Sequence, residues 1–141
     1  MRKLILFGIL LFGNIMLFAP APYEVRLFVS EPIQPYERLW EAVCFVESSF
    51  NPLAVNESEG AYGISQIRQI KLDWYEKQTG IRYTLQDCFD KEISKSIFMY
   101  HMEQFSDPAT GVRKWNGSGP QTDIYWRKIQ NYLNNEGNIR I

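Results

Sequence analysis

The amino-acid sequence predicts a mostly helical fold in one compact domain. Apolar residues recur at the spacing of an amphipathic helix in four segments, whereas signals for β-strands are weak. The chain has 141 residues, which is enough for one domain of ordinary size and too few for two. The sequence contains no internal repeat and no low-complexity segment. We therefore expect helices that pack around a single core.

The first 21 residues have the pattern of a secretory signal peptide. Arg2 and Lys3 precede an apolar stretch at positions 4–18, and small residues follow it where a signal peptidase cleaves. An uncleaved membrane anchor is the alternative, but the apolar stretch is short for crossing roughly 30 Å of hydrocarbon. Residues 22–36 are interpreted as a linker or a short extended segment. We expect the remaining chain to be exported and to work in the periplasm or outside the cell.

The first helix is predicted from Pro35 to about Ser48, since proline suits the first turn of a helix. One stripe of this helix is apolar and consists of Leu39, Ala42, Val43 and Val46. Glu47 falls inside that stripe, whereas Glu37 and Glu41 point towards water. A carboxyl group in an apolar setting keeps its proton near neutral pH, as a general acid requires. A structural carboxylate, paired with an arginine or capped by a loop, is the alternative.

The second helix is predicted over residues 65–78. Its apolar face would carry Ile67, Ile70 and Trp74. Gly80 follows directly after its last turn, where glycine commonly ends a helix.

Two more helices are predicted over residues 90–105 and 123–134. Asp90 suits the N-cap of the first, and Thr122 or Asp123 opens the second. The stretch "VRKWNGSGPQ" between them predicts an irregular turn, because it contains two glycines and a proline.

Composition and charge exclude several functions. The formal net charge is −1 with scattered Lys and Arg, so we expect no nucleic-acid surface. His101 is the single histidine, which leaves too few nitrogen ligands for zinc, and we interpret it as a packed side chain. We expect no metal and no other cofactor. Cys44 and Cys88 allow one disulfide in an exported protein, with two buried thiols as the open alternative.

The polar residues around Glu47 suit carbohydrate binding. Gly60 and Gly63 would let the main chain approach a ligand closely or adopt positive φ angles. Gln66 and Asn116 each offer a donor and an acceptor for sugar hydroxyls and N-acetyl groups. Several aromatic side chains could supply flat surfaces for sugar rings or fill the core, namely Tyr62, Trp115, Tyr125 and Trp126. The pattern favours a glycan-binding groove beside an acidic residue.

The stretch "ESSFNPLAVNESEGAYGISQI" resembles the signature of the bacterial lytic transglycosylases of the soluble (SLT-domain) type, whose relatives include goose-type lysozyme. "KWNGSGP" resembles a later turn of that family, and "TDIYWRKIQNY" its terminal helix. The resemblance covers roughly residues 37–134. It implies a lysozyme-like α+β domain over residues 37–141, with a glycan-binding cleft between the loop at 51–64 and the turn at 115–120.

The resemblance also implies residue roles. Glu47 matches the catalytic acid and base, and Ser48 the serine that helps hold an N-acetyl group. Gln66 and Asn116 match residues that line the cleft, and Tyr125 the tyrosine that faces the acid. Gly63 and Trp115 lie within the same motifs and are expected to contact substrate as well.

Three positions depart from the family pattern. Ser65 stands where methionine is usual, Trp115 where tyrosine is usual, and Ser118 lengthens the glycine turn by one residue. The first two leave the shape of the sugar subsites open, because they flank the residues expected to line the groove.

The implied reaction cleaves the β-1,4 bond between N-acetylmuramic acid and N-acetylglucosamine and leaves 1,6-anhydromuramyl ends. One alternative is a lysozyme-type hydrolase, in which Glu57 or Glu59 would activate water. Another is a non-catalytic peptidoglycan-binding module of a secretion, conjugation or phage apparatus. The expected partner is the glycan strand of peptidoglycan, bound by a monomer.

Overall fold

The computed structural model describes residues 36–139, with side chains through residue 135, and this part of the chain is mostly helical, as predicted. The five helices of this part of the chain are α1 Glu37–Ser48, α2 Gln69–Thr79, α3 Lys91–Glu103, α4 Pro108–Asn116 and α5 Gln121–Ile139. Its three short strands are β1 Val55–Asn56, β2 Ala61–Tyr62 and β3 Ile67–Arg68. A 3₁₀ turn covers Gln86–Phe89. The predicted leader and nearly all of the predicted linker lie outside the described residues.

Helix α1 confirms the first predicted helix to within about two residues. It is followed by Ser49, which has a left-handed φ of 52°; the N–H groups of Ser49 and Phe50 donate to the carbonyl oxygens of Phe45 and Cys44, respectively. The face towards the core carries Ala42 and Val43 from the predicted stripe. It also carries Trp40, which the stripe did not include.

The prediction of the second helix was wrong at its start. Residues 67–68 form β3, which pairs antiparallel with β2 in a small sheet of order β1-β2-β3. Gln66 has a φ of 51°, which lies outside the helical region and prevents a helix from passing through this position. As a result Ile70 is 74% exposed instead of facing the core. Gly80 ends α2 in the left-handed conformation, as expected.

Helix α3 confirms the third prediction, and the Asp90 side chain accepts hydrogen bonds from the N–H groups of Glu92 and Ile93. Helix α4, by contrast, occupies much of the segment predicted as a turn. The Asp107 side chain caps it, and Pro108 occupies its first turn, both of which are favourable there. The irregular turn therefore shrinks to residues 117–120.

Helix α5 begins two residues before its predicted start and continues to Ile139. It packs against α1 and α4. The largest fully buried side chains of the core come from several elements and include Trp40, Val43, Ile67, Ile97, Phe98, Met102, Val112 and Ile129. No helix among residues 36–139 combines the length and the apolar character needed to cross a bilayer.

The two cysteines are free thiols buried in the core, so the structure favours the second of the two alternatives left open. The Cys88 thiol lies 3.7 Å from the carbonyl oxygen of Thr84, within its own turn. Burial raises the pKa of both thiols to about 12, so both stay protonated at neutral pH.

Candidate active site

The domain has an open cleft with a volume of about 490 Å³, which lies in the range of roughly 300 to 1,000 Å³ common for ligand sites. Its lining comes from the end of α1, the β1–β2 turn, the junction of β3 and α2, the end of α4 and the face of α5. The cleft therefore lies between the loop at 51–64 and the turn that follows α4. The sequence places the glycan-binding groove in the same position.

Glu47 lies on the last turn of α1 and lines this cleft while half-buried. Desolvation raises the pKa of its carboxyl group from 4.5 to about 7. The Tyr125 hydroxyl and the Arg68 guanidinium act in the opposite direction but are outweighed. The group therefore gains and loses its proton near neutral pH, which suits a residue that must first donate a proton and later accept one.

Tyr125 approaches Glu47 from α5. Its hydroxyl oxygen is buried, and no atom among the described residues meets full hydrogen-bond geometry with it. Glu47 is nevertheless close enough that each group shifts the pKa of the other, and burial together with Glu47 raises the pKa of Tyr125 well above 10. The tyrosine is therefore a neutral donor whose hydrogen bond to the carboxylate is still imperfect, a geometry that commonly tightens when a ligand binds.

The loop opposite Glu47 is held by side-chain hydrogen bonds to its main chain. The Gln66 amide Nε2 donates to the carbonyl oxygens of Gly63 at 2.9 Å and Ala54 at 3.3 Å. The Ser48 hydroxyl donates to the carbonyl oxygen of Ile64 at 2.7 Å. These bonds tie the end of α1 to the hairpin and fix one wall of the cleft.

The cleft brings together five of the seven residues that the sequence nominated for catalysis and substrate binding: Glu47, Gln66, Trp115, Asn116 and Tyr125. Ser48 and Gly63 do not line it and instead support the loop from behind. Their roles as direct substrate contacts stay predictions.

Two of the three departures from the family pattern, Ser65 and Trp115, are accommodated in the core, whereas Ser118 is exposed in the turn after α4. Trp115 is 5% exposed and its ring packs edge-on against Phe98 and His101. The Ser65 side chain is fully buried, and its hydroxyl has no partner among the described residues. A change at either position therefore alters the packing behind the cleft more than the surface that faces a ligand.

Several cleft residues were missed by the sequence reasoning. Arg68 and Lys71 line the cleft at the β3–α2 junction, and Lys114 and Lys128 line it from α4 and α5. Arg68 and Lys71 were missed because residues 65–78 were predicted as one helix, and a two-residue strand leaves no periodic signal in the sequence. Glu59 also lines the cleft, whereas Glu57 is exposed and does not.

His101 is buried, as interpreted from the sequence. Its Nε2 lies 2.9 Å from the carbonyl oxygen of Gly111. Burial, together with the charge of Lys71, lowers the pKa of the imidazole to about 4, so it is neutral at pH 7.

A mostly helical domain with a small sheet, and with a half-buried carboxyl group in an open cleft, is compatible with the class of lysozyme-like domains. The family model of the transglycosylase SLT domain matches residues 34–117, more than half of the chain, and the chain belongs to this family. The match ends before Tyr125. Comparison with curated proteins and with solved structures gave no significant match. Family membership makes peptidoglycan the substrate class and glycosidic-bond cleavage the chemistry of the family.

Proposed function

We propose that the protein is a peptidoglycan lytic transglycosylase that cleaves the β-1,4 bond between N-acetylmuramic acid and N-acetylglucosamine. The observation that carries the proposal is the half-buried Glu47, whose pKa near 7 lets one carboxyl group act as acid and then as base. We further propose that the protein acts outside the cytoplasm, where this substrate lies.

In the first step, protonated Glu47 donates its proton to the glycosidic oxygen as the bond to the muramyl anomeric carbon breaks. The N-acetyl oxygen of the muramyl residue stabilises the positive charge that develops at that carbon, so a second carboxylate is not needed. Gln66 and Asn116 both line the cleft, and their side-chain amides would contact the N-acetyl and hydroxyl groups of the sugars.

In the second step, the ionised Glu47 removes the proton from the muramyl O6 hydroxyl, and O6 closes onto the anomeric carbon. The product is a 1,6-anhydromuramyl end, Glu47 is protonated again, and no water is consumed. The Tyr125 hydroxyl favours the ionised form between the two steps because it donates towards the carboxylate.

The test is mass spectrometry of the soluble fragments that the purified protein releases from peptidoglycan. Fragments with anhydromuramyl ends, 18 mass units lighter than the corresponding reducing muropeptides because one water is missing, are the expected result. Glu47→Gln provides the control for contaminating activity. Reducing muramyl ends would overturn the transglycosylase in favour of a hydrolase. Absence of fragments, together with retained binding by wild type and Glu47→Gln, would indicate a binding module.

A lysozyme-type hydrolase is the second candidate, because Glu59 lines the cleft and its charge contributes to the raised pKa of Glu47. This carboxylate would activate a water molecule on the far side of the muramyl carbon. Glu59→Gln should then remove the reducing ends, whereas Glu57→Gln, a matched change in the same turn but outside the cleft, should not. Under the transglycosylase proposal both variants keep the anhydro products.

Tyr125→Phe is expected to lower kcat/KM on peptidoglycan about 10- to 100-fold. Since the hydroxyl lowers the pKa of Glu47, its loss should also move the alkaline limb of the pH–rate profile to higher pH. Thermal stability should change little, because the buried hydroxyl has no fully formed hydrogen bond to lose. Tyr132→Phe on the same helix is the control. An alkaline limb that stays in place would contradict a direct interaction with Glu47.

A further inference from the structure

The cleft carries more positive charge than an uncharged glycan requires. Four basic side chains line it, Arg68, Lys71, Lys114 and Lys128, against the two carboxylates of Glu47 and Glu59. The sugar backbone of peptidoglycan carries no charge when each lactyl carboxyl group is in an amide bond with a peptide. The excess of cations therefore points to a part of the substrate other than the sugar rings.

Lys71 is the most constrained of these cations. Its Nζ lies 3.3 Å from His101 Nδ1 and 4.8 Å from the centre of the Trp115 ring. A carbonyl oxygen can only accept, so the contact with Gly111 places the imidazole proton on Nε2 and leaves Nδ1 as the acceptor for the lysine. These contacts hold the ammonium at the cleft wall, with two of its three N–H groups left for a ligand or water.

Arg68 is the neighbour of Lys71 and has a neutral partner. One of its terminal nitrogens donates to the carbonyl oxygen of Asn116 at 2.8 Å, which fixes the guanidinium against the end of α4. Burial, and to a smaller extent the charge of Arg68, lower the pKa of Lys71 to about 8, and the charge of Arg68 also acts to lower the pKa of Glu47. It therefore lies within electrostatic reach of both groups.

Neither cation forms a direct ion pair with a carboxylate among the described side chains, although the charge of Arg68 acts on Glu47. The ion pairs within that part of the chain are Arg82–Glu76, Lys95–Glu37 and Arg113–Asp123, all away from the cleft. Placing two like charges side by side in a partly desolvated wall is unfavourable unless an anion joins them. A bound carboxylate would relieve that repulsion and accept from both groups.

We propose that Arg68 and Lys71 form a subsite for a carboxylate of the stem peptide, so that the protein selects glycan strands that still carry peptides. The proposal rests on the proposed function, because it assigns this subsite to the strand that Glu47 cleaves. The muramyl residue beside the scissile bond carries the peptide, which brings its carboxylates to the cleft wall nearest Glu47. The free carboxylates of the stem supply the charge that the sugars lack.

The test compares turnover of two substrates, peptide-bearing glycan strands and strands stripped of peptides by an amidase. The wild-type protein should prefer the peptide-bearing strands, and Lys71→Met should reduce the ratio of the two kcat/KM values about tenfold. Lys71→Arg should restore much of the ratio. Lys77→Met, on the exposed side of the same helix, should leave the ratio at the wild-type value. A ratio that Lys71→Met does not change would overturn the subsite.

A binding measurement separates failure of this subsite from failure of the proposed function. Isothermal titration with a disaccharide tetrapeptide should give a weaker affinity, by about tenfold, once the peptide carboxylates are amidated. This readout needs neither turnover nor a variant that folds. Equal affinity for both ligands would overturn the subsite even in an active enzyme, whereas a carboxylate preference in a protein without turnover would retain the subsite and reject the catalytic proposal. Stronger competition by a phosphate-containing wall polymer would also overturn the assignment to the peptide.

Discussion

Glu47→Gln is expected to reduce the release of anhydromuramyl fragments by about 10³-fold or more, because the same carboxyl group serves as acid and base in the two steps. The amide has nearly the same shape and fills the same space at the end of α1. It can donate a hydrogen bond to the glycosidic oxygen, but it cannot transfer a proton to it. Substrate binding should therefore persist while turnover is lost.

Initial rates of fragment release, measured by mass spectrometry, test this expectation. Glu41→Gln is the matched control, since it lies six residues earlier on the same helix and does not line the cleft. In the wild-type protein the rate of the first step should fall as pH rises above about 7, because Glu47 then loses the proton it must donate. A Glu47→Gln rate within tenfold of wild type would remove Glu47 from the chemistry.

The same substitution should stabilise the fold at alkaline pH. The folded-state pKa of Glu47 is raised from 4.5 to about 7, so the neutral form is favoured in the folded protein. The stability that belongs to this neutral form is fully present below pH 4.5 and is lost as pH rises through about 7. Glutamine cannot ionise, so Glu47→Gln should be more stable than wild type at pH 8 by on the order of 2 to 3 kcal/mol.

Urea unfolding of both proteins at pH 4 and pH 8 checks the sign of this difference. The two stabilities should nearly coincide at pH 4 and separate at pH 8. A glutamine variant that is the less stable protein at pH 8 would mean that Glu47 is a structural carboxylate held by a favourable partner, the alternative that its position on the helix also allows. Turnover and the free energy of unfolding thus test the raised pKa of the Glu47 carboxyl group in two independent ways.

The sequence predicted those parts of the fold that are decided by local chemistry. Asp90 caps α3 and Gly80 ends α2, since each forms its hydrogen bonds within a few residues. Helix α4 was missed although Asp107 and Pro108 mark its start, because the two glycines and the proline at positions 112–121 predict a turn, and Gly111 in the helix interior has a low helix propensity. The structure gives the reason for that glycine: a Cβ atom there would lie 2.9 Å from the Met102 side chain of α3. Such a close approach between helices leaves no local signal.

The residues of the site could likewise be predicted where local sequence decides their position, and not where tertiary contacts decide it. Glu47 could be predicted because one helix and its periodicity place it on the inner face, and Tyr125 because the resemblance includes the last helix. Arg68 and Lys71 could not, since their position depends on the left-handed Gln66, which turns the chain from the β2–β3 connection into β3, just ahead of α2. Positive φ at a non-glycine residue is unfavourable and is maintained here by the tertiary contacts of the hairpin. The periodicity of apolar residues in the sequence therefore cannot predict a residue in this conformation.

Gly63→Ala is expected to destabilise the domain by roughly 3 to 5 kcal/mol, the largest stability effect that we predict. Gly63 has a φ of 77°, and a Cβ atom there would lie 1.9 Å from the carbonyl oxygen of Cys88. The neighbour is main chain of the 3₁₀ turn and cannot move aside as a flexible side chain would. The melting temperature should fall by roughly 15 °C or more, measured by differential scanning calorimetry.

Gly60→Ala separates the two causes of this loss. Gly60 also has a positive φ, 59°, but no atom lies within 4 Å of the position that its Cβ would take. Gly60→Ala should therefore lower the free energy of unfolding only by the cost of placing alanine at a positive φ, about 1 kcal/mol. Equal losses at both positions would contradict a clash with the 3₁₀ turn. A larger loss at Gly63 should also reduce turnover below the melting temperature, because its carbonyl oxygen accepts the Gln66 hydrogen bond that fixes the cleft wall.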